Sequence, residues 1–162
     1  EKERSMRYIA ITALCAFALM AQKYNGPRPP KPDVPFLQHA DNLLETEVSE
    51  AQEQQPKKNQ ILYTVEGAAS PVKTPLASPI FLLLAEKLDP GRLQLYRLES
   101  RNGRREILFK RKGDAARPIR LTVERLSRDE NLYRIEVYES LENGEYSLTP
   151  DGSNTVFCFQ VY

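Results

Sequence analysis

The sequence predicts an all-β fold, an antiparallel β-sandwich of immunoglobulin-like or related type with seven to nine strands, and three observations carry that expectation. Short apolar runs recur between glycine and proline punctuation, Asn-Gly dipeptides stand at 102–103 and 143–144, and no long helical period appears after residue 22. Twelve prolines, seven glycines and eight tyrosines in 162 residues fit many short extended segments. The length allows one domain, and 41% hydrophobic with 28% charged residues places the chain in the ordinary globular class. A two-domain enzyme is excluded.

Residues 8–21 (YIAITALCAFALMA) are apolar or small throughout and follow Lys2, Arg4 and Arg7. A charged start before an apolar run of this length reads as an export signal, since a bilayer-spanning helix needs about 18 to 20 residues. Residues 1–21 are therefore expected to be a cleaved signal peptide, with 1–5 as a start-site extension before Met6 and Gln22 as the new terminus. Cleavage would remove Cys15 and leave Cys158 with no intrachain disulfide partner.

Residues 22–60 form a proline-rich and acidic linker or edge segment. Five prolines in 23–36 bias the chain to an extended strap. In 41–55, Asp41, Glu45, Glu47, Glu50 and Glu53 supply five acids and no base. The alternation of Leu44, Thr46 and Val48 allows an edge strand, whereas the Glu, Gln and Ala content of 50–55 allows a helical turn or disorder.

The β-sandwich domain is expected over 61–162. Residues 61–65 (ILYTV) and 80–84 (IFLLL) are short apolar runs between turn formers, and both read as strands. Two apolar-rich runs flank Asn102-Gly103, a dipeptide suited to the positive φ angles of a type I′ hairpin. Arg101 then faces Arg104, which pairs Leu98 with Ile107 and Tyr96 with Phe109 on one face. Residues 119–126 and 132–139 form a second hairpin that sets Val123 against Ile135, Leu121 against Val137 and Glu124 against Arg134. After Asn143-Gly144, a third hairpin closes on Asp151-Gly152-Ser153-Asn154, read as a type I turn, and sets Leu148 against Phe157 and Tyr146 against Phe159.

The segments SPVKTPLASPIFLL, LYRLESRNGRREILF and LENGEYSL…VFCFQVY resemble a C-terminal β domain that recurs in exported bacterial proteins of unassigned function. The likeness covers about residues 67–162 through short structural motifs. It implies a β fold and an envelope location, and it brings no catalytic residue with it.

The chemistry is sparse. His39 stands alone, which excludes a two-histidine metal site; its pairing with Asp41 would suit general-base work, and a surface histidine is the plainer reading. No nucleophile elbow, zinc-protease, dinucleotide or phosphate-loop motif occurs. Cys158 alternates with Phe157 and Phe159 and reads as a small strand residue, with a reactive thiol as the alternative. No catalytic residue, metal ligand or cofactor is therefore expected. The most uneven feature is charge. Arg97, Arg101, Arg104, Arg105, Lys110, Arg111 and Lys112 stand against Glu99 and Glu106 alone, and this basic hairpin is the candidate binding site. Arginine forks suit anionic groups.

These readings predict an exported, periplasmic or extracellular, non-enzymatic interaction or structural module of the bacterial cell envelope. Its expected partner is a protein or a second copy of the chain, with an anionic envelope polymer as the alternative; with a formal charge of +1 no nucleic acid is expected, nor any membrane span after signal removal. The rival is a small hydrolase or transferase using carboxylates such as Glu136, Glu139, Glu142 and Glu145. That reading needs two of them buried together at a cleft.

Overall fold

The computed structural model describes residues 23–113 and 115–162. The expected signal peptide lies outside the described residues. No helix among the described residues is long and apolar enough to cross a membrane.

Among the described residues thirteen strands are present instead of the expected seven to nine: β1 (Phe36–His39), β2 (Asn42–Glu45), β3 (Glu47–Glu50), β4 (Gln52–Lys57), β5 (Gln60–Glu66), β6 (Lys73–Thr74), β7 (Ile80–Leu84), β8 (Leu93–Arg101), β9 (Arg104–Lys110), β10 (Leu121–Arg125), β11 (Leu132–Val137), β12 (Gly144–Pro150) and β13 (Thr155–Val161). They form two layers, as the sandwich reading requires. The smaller sheet has the order β10-β11-β7-β1-β2, and the larger has the order β3-β13-β12-β8-β9-β5-β4, with β6 beside β13. All pairs are antiparallel except the short β6–β13 pair. Four of the thirteen lie in residues 36–57, where the sequence offered one edge strand, because acidic and polar composition masks the extended backbone.

The hairpin registers follow from turn chemistry and face polarity together. Arg101 faces Arg104 across Asn102 (φ 53°) and Gly103 (φ 76°), the paired positive φ values of a type I′ turn. Val123 faces Ile135, Leu121 faces Val137, Leu148 faces Phe157 and Tyr146 faces Phe159, all as the sequence predicts. The turn at 150–153 departs from expectation. Ser153 N–H donates to Pro150 O at 3.1 Å, and the positive φ of Gly152 at the third position makes a type II turn instead of type I.

Between the layers, Leu37, Phe81, Leu83, Ile135 and Val137 of the smaller sheet meet Leu93, Leu95, Tyr146, Leu148, Phe157, Phe159 and Val161 of the larger. Phe159 makes an edge contact with Phe81 at 5.1 Å and stacks on Tyr146 at 5.7 Å. The proline strap docks beside this core, with Pro29 and Pro35 buried. Asp33 fastens it: its carboxylate accepts from the backbone N–H groups of Glu86, Lys87 and Leu88 at 2.9 to 3.2 Å. Partial burial opposes ionisation there, but the three donors outweigh it and hold the Asp33 carboxyl below its ordinary value.

Residues 42–57 join the layers. Only Thr46 separates β2 from β3, and only Ala51 separates β3 from β4. Thr46 is buried, and its hydroxyl donates to Pro35 O at 2.7 Å; Ala51 N–H donates to Asn154 O at 2.8 Å. The first and last strands of the larger sheet are thus one run of chain, so that sheet must curl until its ends meet.

Gly103 fixes the β8–β9 hairpin through its backbone alone, because nothing lies within 4 Å of where its Cβ would be. Gly103→Val is expected to lower stability by about 1–3 kcal/mol. Equal urea midpoints for the variant and the wild type would refute the turn assignment.

Candidate functional site

Curling gives the larger sheet an inner face. Ala51, Val65, Leu98, Val156 and Cys158 form one buried cluster there, with Tyr63 and Ile107 packed against it. Val156 and Cys158 of β13 join Val65 of β5, four steps away in the strand order, so the inner face is a true interior. Toward one end it opens into a cavity of about 550 Å³. Ile61, Tyr63, Tyr96, Leu98, Ile107 and Phe109 form its apolar wall, Ser147 and Thr149 line another side, and the rim carries Glu53, Gln94, Asp151, Ser153 and Asn154. Phe109 makes edge contacts with Tyr63 at 5.7 Å and Tyr96 at 5.3 Å. The Tyr63 hydroxyl donates to Glu53 at 3.1 Å and the Tyr96 hydroxyl to Gln94 at 2.8 Å, which turns both polar tips toward the rim.

At the other end of the rolled sheet the interior is filled by charge. Arg105, with a side chain 1% exposed, directs a two-pronged contact to Glu47 at 2.6 and 2.8 Å and donates to Glu66 O and Gly67 O at 2.6 and 3.0 Å. It therefore ties β9 to the end of β5 and, across the interior, to β3. Glu145 of β12 lies 4.0 Å from the same guanidinium and accepts from Ser70 N–H at 2.9 Å. Burial raises the Glu145 carboxyl above its ordinary value. Burial acts in the same sense on Glu47, but hydrogen bonds from Arg105, Ser70 and Ser49 overcome it and hold that carboxyl below the ordinary value. One cation thus serves two acids unequally.

The basic hairpin is not one patch. Arg105, grouped with its neighbours as a candidate binding residue, is corrected by the structure: it points into the roll. Alternation could have revealed it, because a strand that turns Ile107 and Phe109 inward turns Arg105 inward as well. Arg97 bonds Glu142 at 2.5 Å and Asn143 O at 3.2 Å, while Arg101 and Arg104 lie within 3.3 to 3.6 Å of Glu99 or Glu106. Lys110, Arg111 and Lys112 are exposed at the far end of β9, about 20 Å from the turn at the rise of an extended strand. Arg97, Arg101 and Lys110 share an outer groove of about 640 Å³ with Arg117, Glu99 and Glu106.

The remaining candidates are placed as follows. Cys158 is fully buried, and burial pushes its thiol up to about 12, far from a reactive thiolate. The His39 ring meets Thr74 Oγ1 at 3.0 Å instead of pairing with Asp41. Glu136 bonds Arg134 at 2.6 Å, and Glu139 and Glu142 are exposed. Of the four carboxylates of the enzyme reading only Glu145 is buried, and its acidic neighbour is Glu47. Neither lines the cavity. Among the described residues no cluster of three or more His, Cys, Asp or Glu could hold a metal ion. No family model matches the chain, and neither a curated protein nor a solved structure matches it.

The two acids on Arg105 should differ in sign. Glu47, with its folded value depressed, stabilises the fold above its unfolded value, and that contribution is lost as pH falls through the folded value. Glu145, with its folded value raised, favours folding in acid, and that contribution is lost as pH rises through the folded value. At pH 7, Glu47→Gln should therefore destabilise by about 3 kcal/mol by leaving Arg105 without its partner. Glu145→Gln should leave the urea midpoint unchanged or raise it. An equal loss from both substitutions would contradict this division.

Proposed function

We propose that the chain is an exported, non-enzymatic binding module of the bacterial cell envelope, and that its binding site is the interior of the rolled sheet. The observation that carries the reading is the cavity of about 550 Å³ with aromatic and aliphatic walls and polar groups gathered at its mouth. That pattern suits a small organic molecule held mainly by apolar contact and oriented by a few polar groups. The two carboxylates of the lining are already engaged, Glu53 by the Tyr63 hydroxyl and Asp151 by Arg92, which favours binding over turnover. Export is supported by residues 1–21, where basic side chains precede the apolar run. The outer groove beside the hairpin is a poorer candidate, since Arg97 and Arg101 already have carboxylate partners there.

The test uses protein recovered from its native cell, whose intact mass is expected to place the N-terminus near Gln22. Titration with the neutral fluorophore N-phenyl-1-naphthylamine should give a saturable, blue-shifted signal with one site per chain. Ile61→Trp, which adds bulk at a half-buried position on the wall, should remove most of that signal while leaving the urea midpoint close to wild type. Saturable binding that ignores Ile61→Trp would place the site elsewhere, and an unprocessed N-terminus would overturn export.

A further inference from the structure

The cavity wall is charged on one side of zero only. Its lining has two carboxylates, Glu53 and Asp151, and no arginine, lysine or histidine. Arg92 reaches Asp151 at 3.2 Å from outside the lining, whereas the partner of Glu53 is the neutral Tyr63 hydroxyl. Just inside the rim, three aromatic rings stand together: Tyr63 and Tyr96 meet Phe109 at interplanar angles of 82° and 85°. Aromatic faces carry negative potential and attract cations, most strongly where water is partly excluded. A ligand with an anionic head would meet Glu53 with no cation in the lining to offset the repulsion.

We propose that the rolled sheet binds an organic monocation with an apolar body, an alkyl- or arylammonium, whose chain or ring fills the wall formed by Ile61, Leu98 and Ile107 and whose ammonium lies at the mouth near Glu53. The inference rests on the binding-module reading and adds the charge of the ligand to it. It also reverses the sign expected from the basic hairpin: apart from Arg105 at the closed end, the bases of the β8–β9 hairpin lie outside the cavity, while the cavity takes Tyr96 and Phe109 from the hairpin and Glu53 from β4.

Three probes of matched chain length separate the two readings: decyltrimethylammonium, decanol and decanoate, each displacing N-phenyl-1-naphthylamine from the wild-type protein at low ionic strength and neutral pH, below their aggregation concentrations. The expected order is ammonium tightest, with about a tenfold or greater preference over decanoate. Added salt should narrow that preference. Glu53→Gln keeps an acceptor for the Tyr63 hydroxyl on an exposed strand. It should bring the ammonium-to-decanoate ratio toward one and leave decanol unchanged. Decanol binding with no preference for the ammonium, or a preference indifferent to Glu53→Gln, would overturn the cation assignment while leaving the cavity as a site. Failure of both the dye and decanol to bind would overturn both.

Discussion

A guanidinium buried at 1% exposure is tolerable only with a partner held in fixed geometry, and the contact of Arg105 with Glu47 supplies it across the interior of the larger sheet. The two residues lie on β9 and β3, four steps apart in the strand order, so the bond forms only when the sheet is curled. The same guanidinium holds the carbonyls at the end of β5. Curvature, closure and the charged plug thus depend on one another: flattening the sheet would expose the apolar inner face and leave a buried cation without its anion.

Closure at one end defines what the other end can do. The run from Asn42 to Lys57 leaves the smaller sheet as β2, enters the larger as β3 and completes the circuit as β4, with Thr46 and Ala51 as its two buried joints. The plug of Arg105, Glu47 and Glu145 fills the roll near the Gly67 turn. The opposite mouth, between Glu53 and the 150–154 turn, remains wide enough for a ligand. The roll is therefore asymmetric along its axis, with charge neutralised inside at one end and acidic at the open end.

The sequence made the hairpins legible because turn chemistry and face polarity are both local. Asn102-Gly103 sets the register of β8 against β9, and alternation in 121–125 and 132–137 sets the next pair. Closure was not legible, because it joins Glu47 to Arg105 across 58 positions and uses polar strands such as β4, which is exposed throughout. The Glu- and Gln-rich run at 50–57 has no apolar face and gives no periodic signal, and the short alternation of Leu44, Thr46 and Val48 offers one edge strand at most, so 36–57 read as linker or edge. Arg105 itself was readable from its parity with Ile107, but a run of bases reads more readily as a solvated surface. The cavity lay hidden for a different reason: Tyr63, Tyr96 and Phe109 carry the apolar pattern of a filled core, and only the curvature of the sheet leaves space between them and Thr149.

The dependence of the rolled sheet on the buried pair is tested most directly by a double-mutant cycle on Arg105→Met and Glu47→Leu, read by urea denaturation at neutral pH. If the pair acts as one clamp, each single substitution strands a buried charge or an unfilled polar pocket, while the double substitution removes both and recovers much of the loss. The expected coupling is about 2 kcal/mol or more. Losses that add within about 0.5 kcal/mol would show that Arg105 and Glu47 are independent, and that the sheet closes for some other reason.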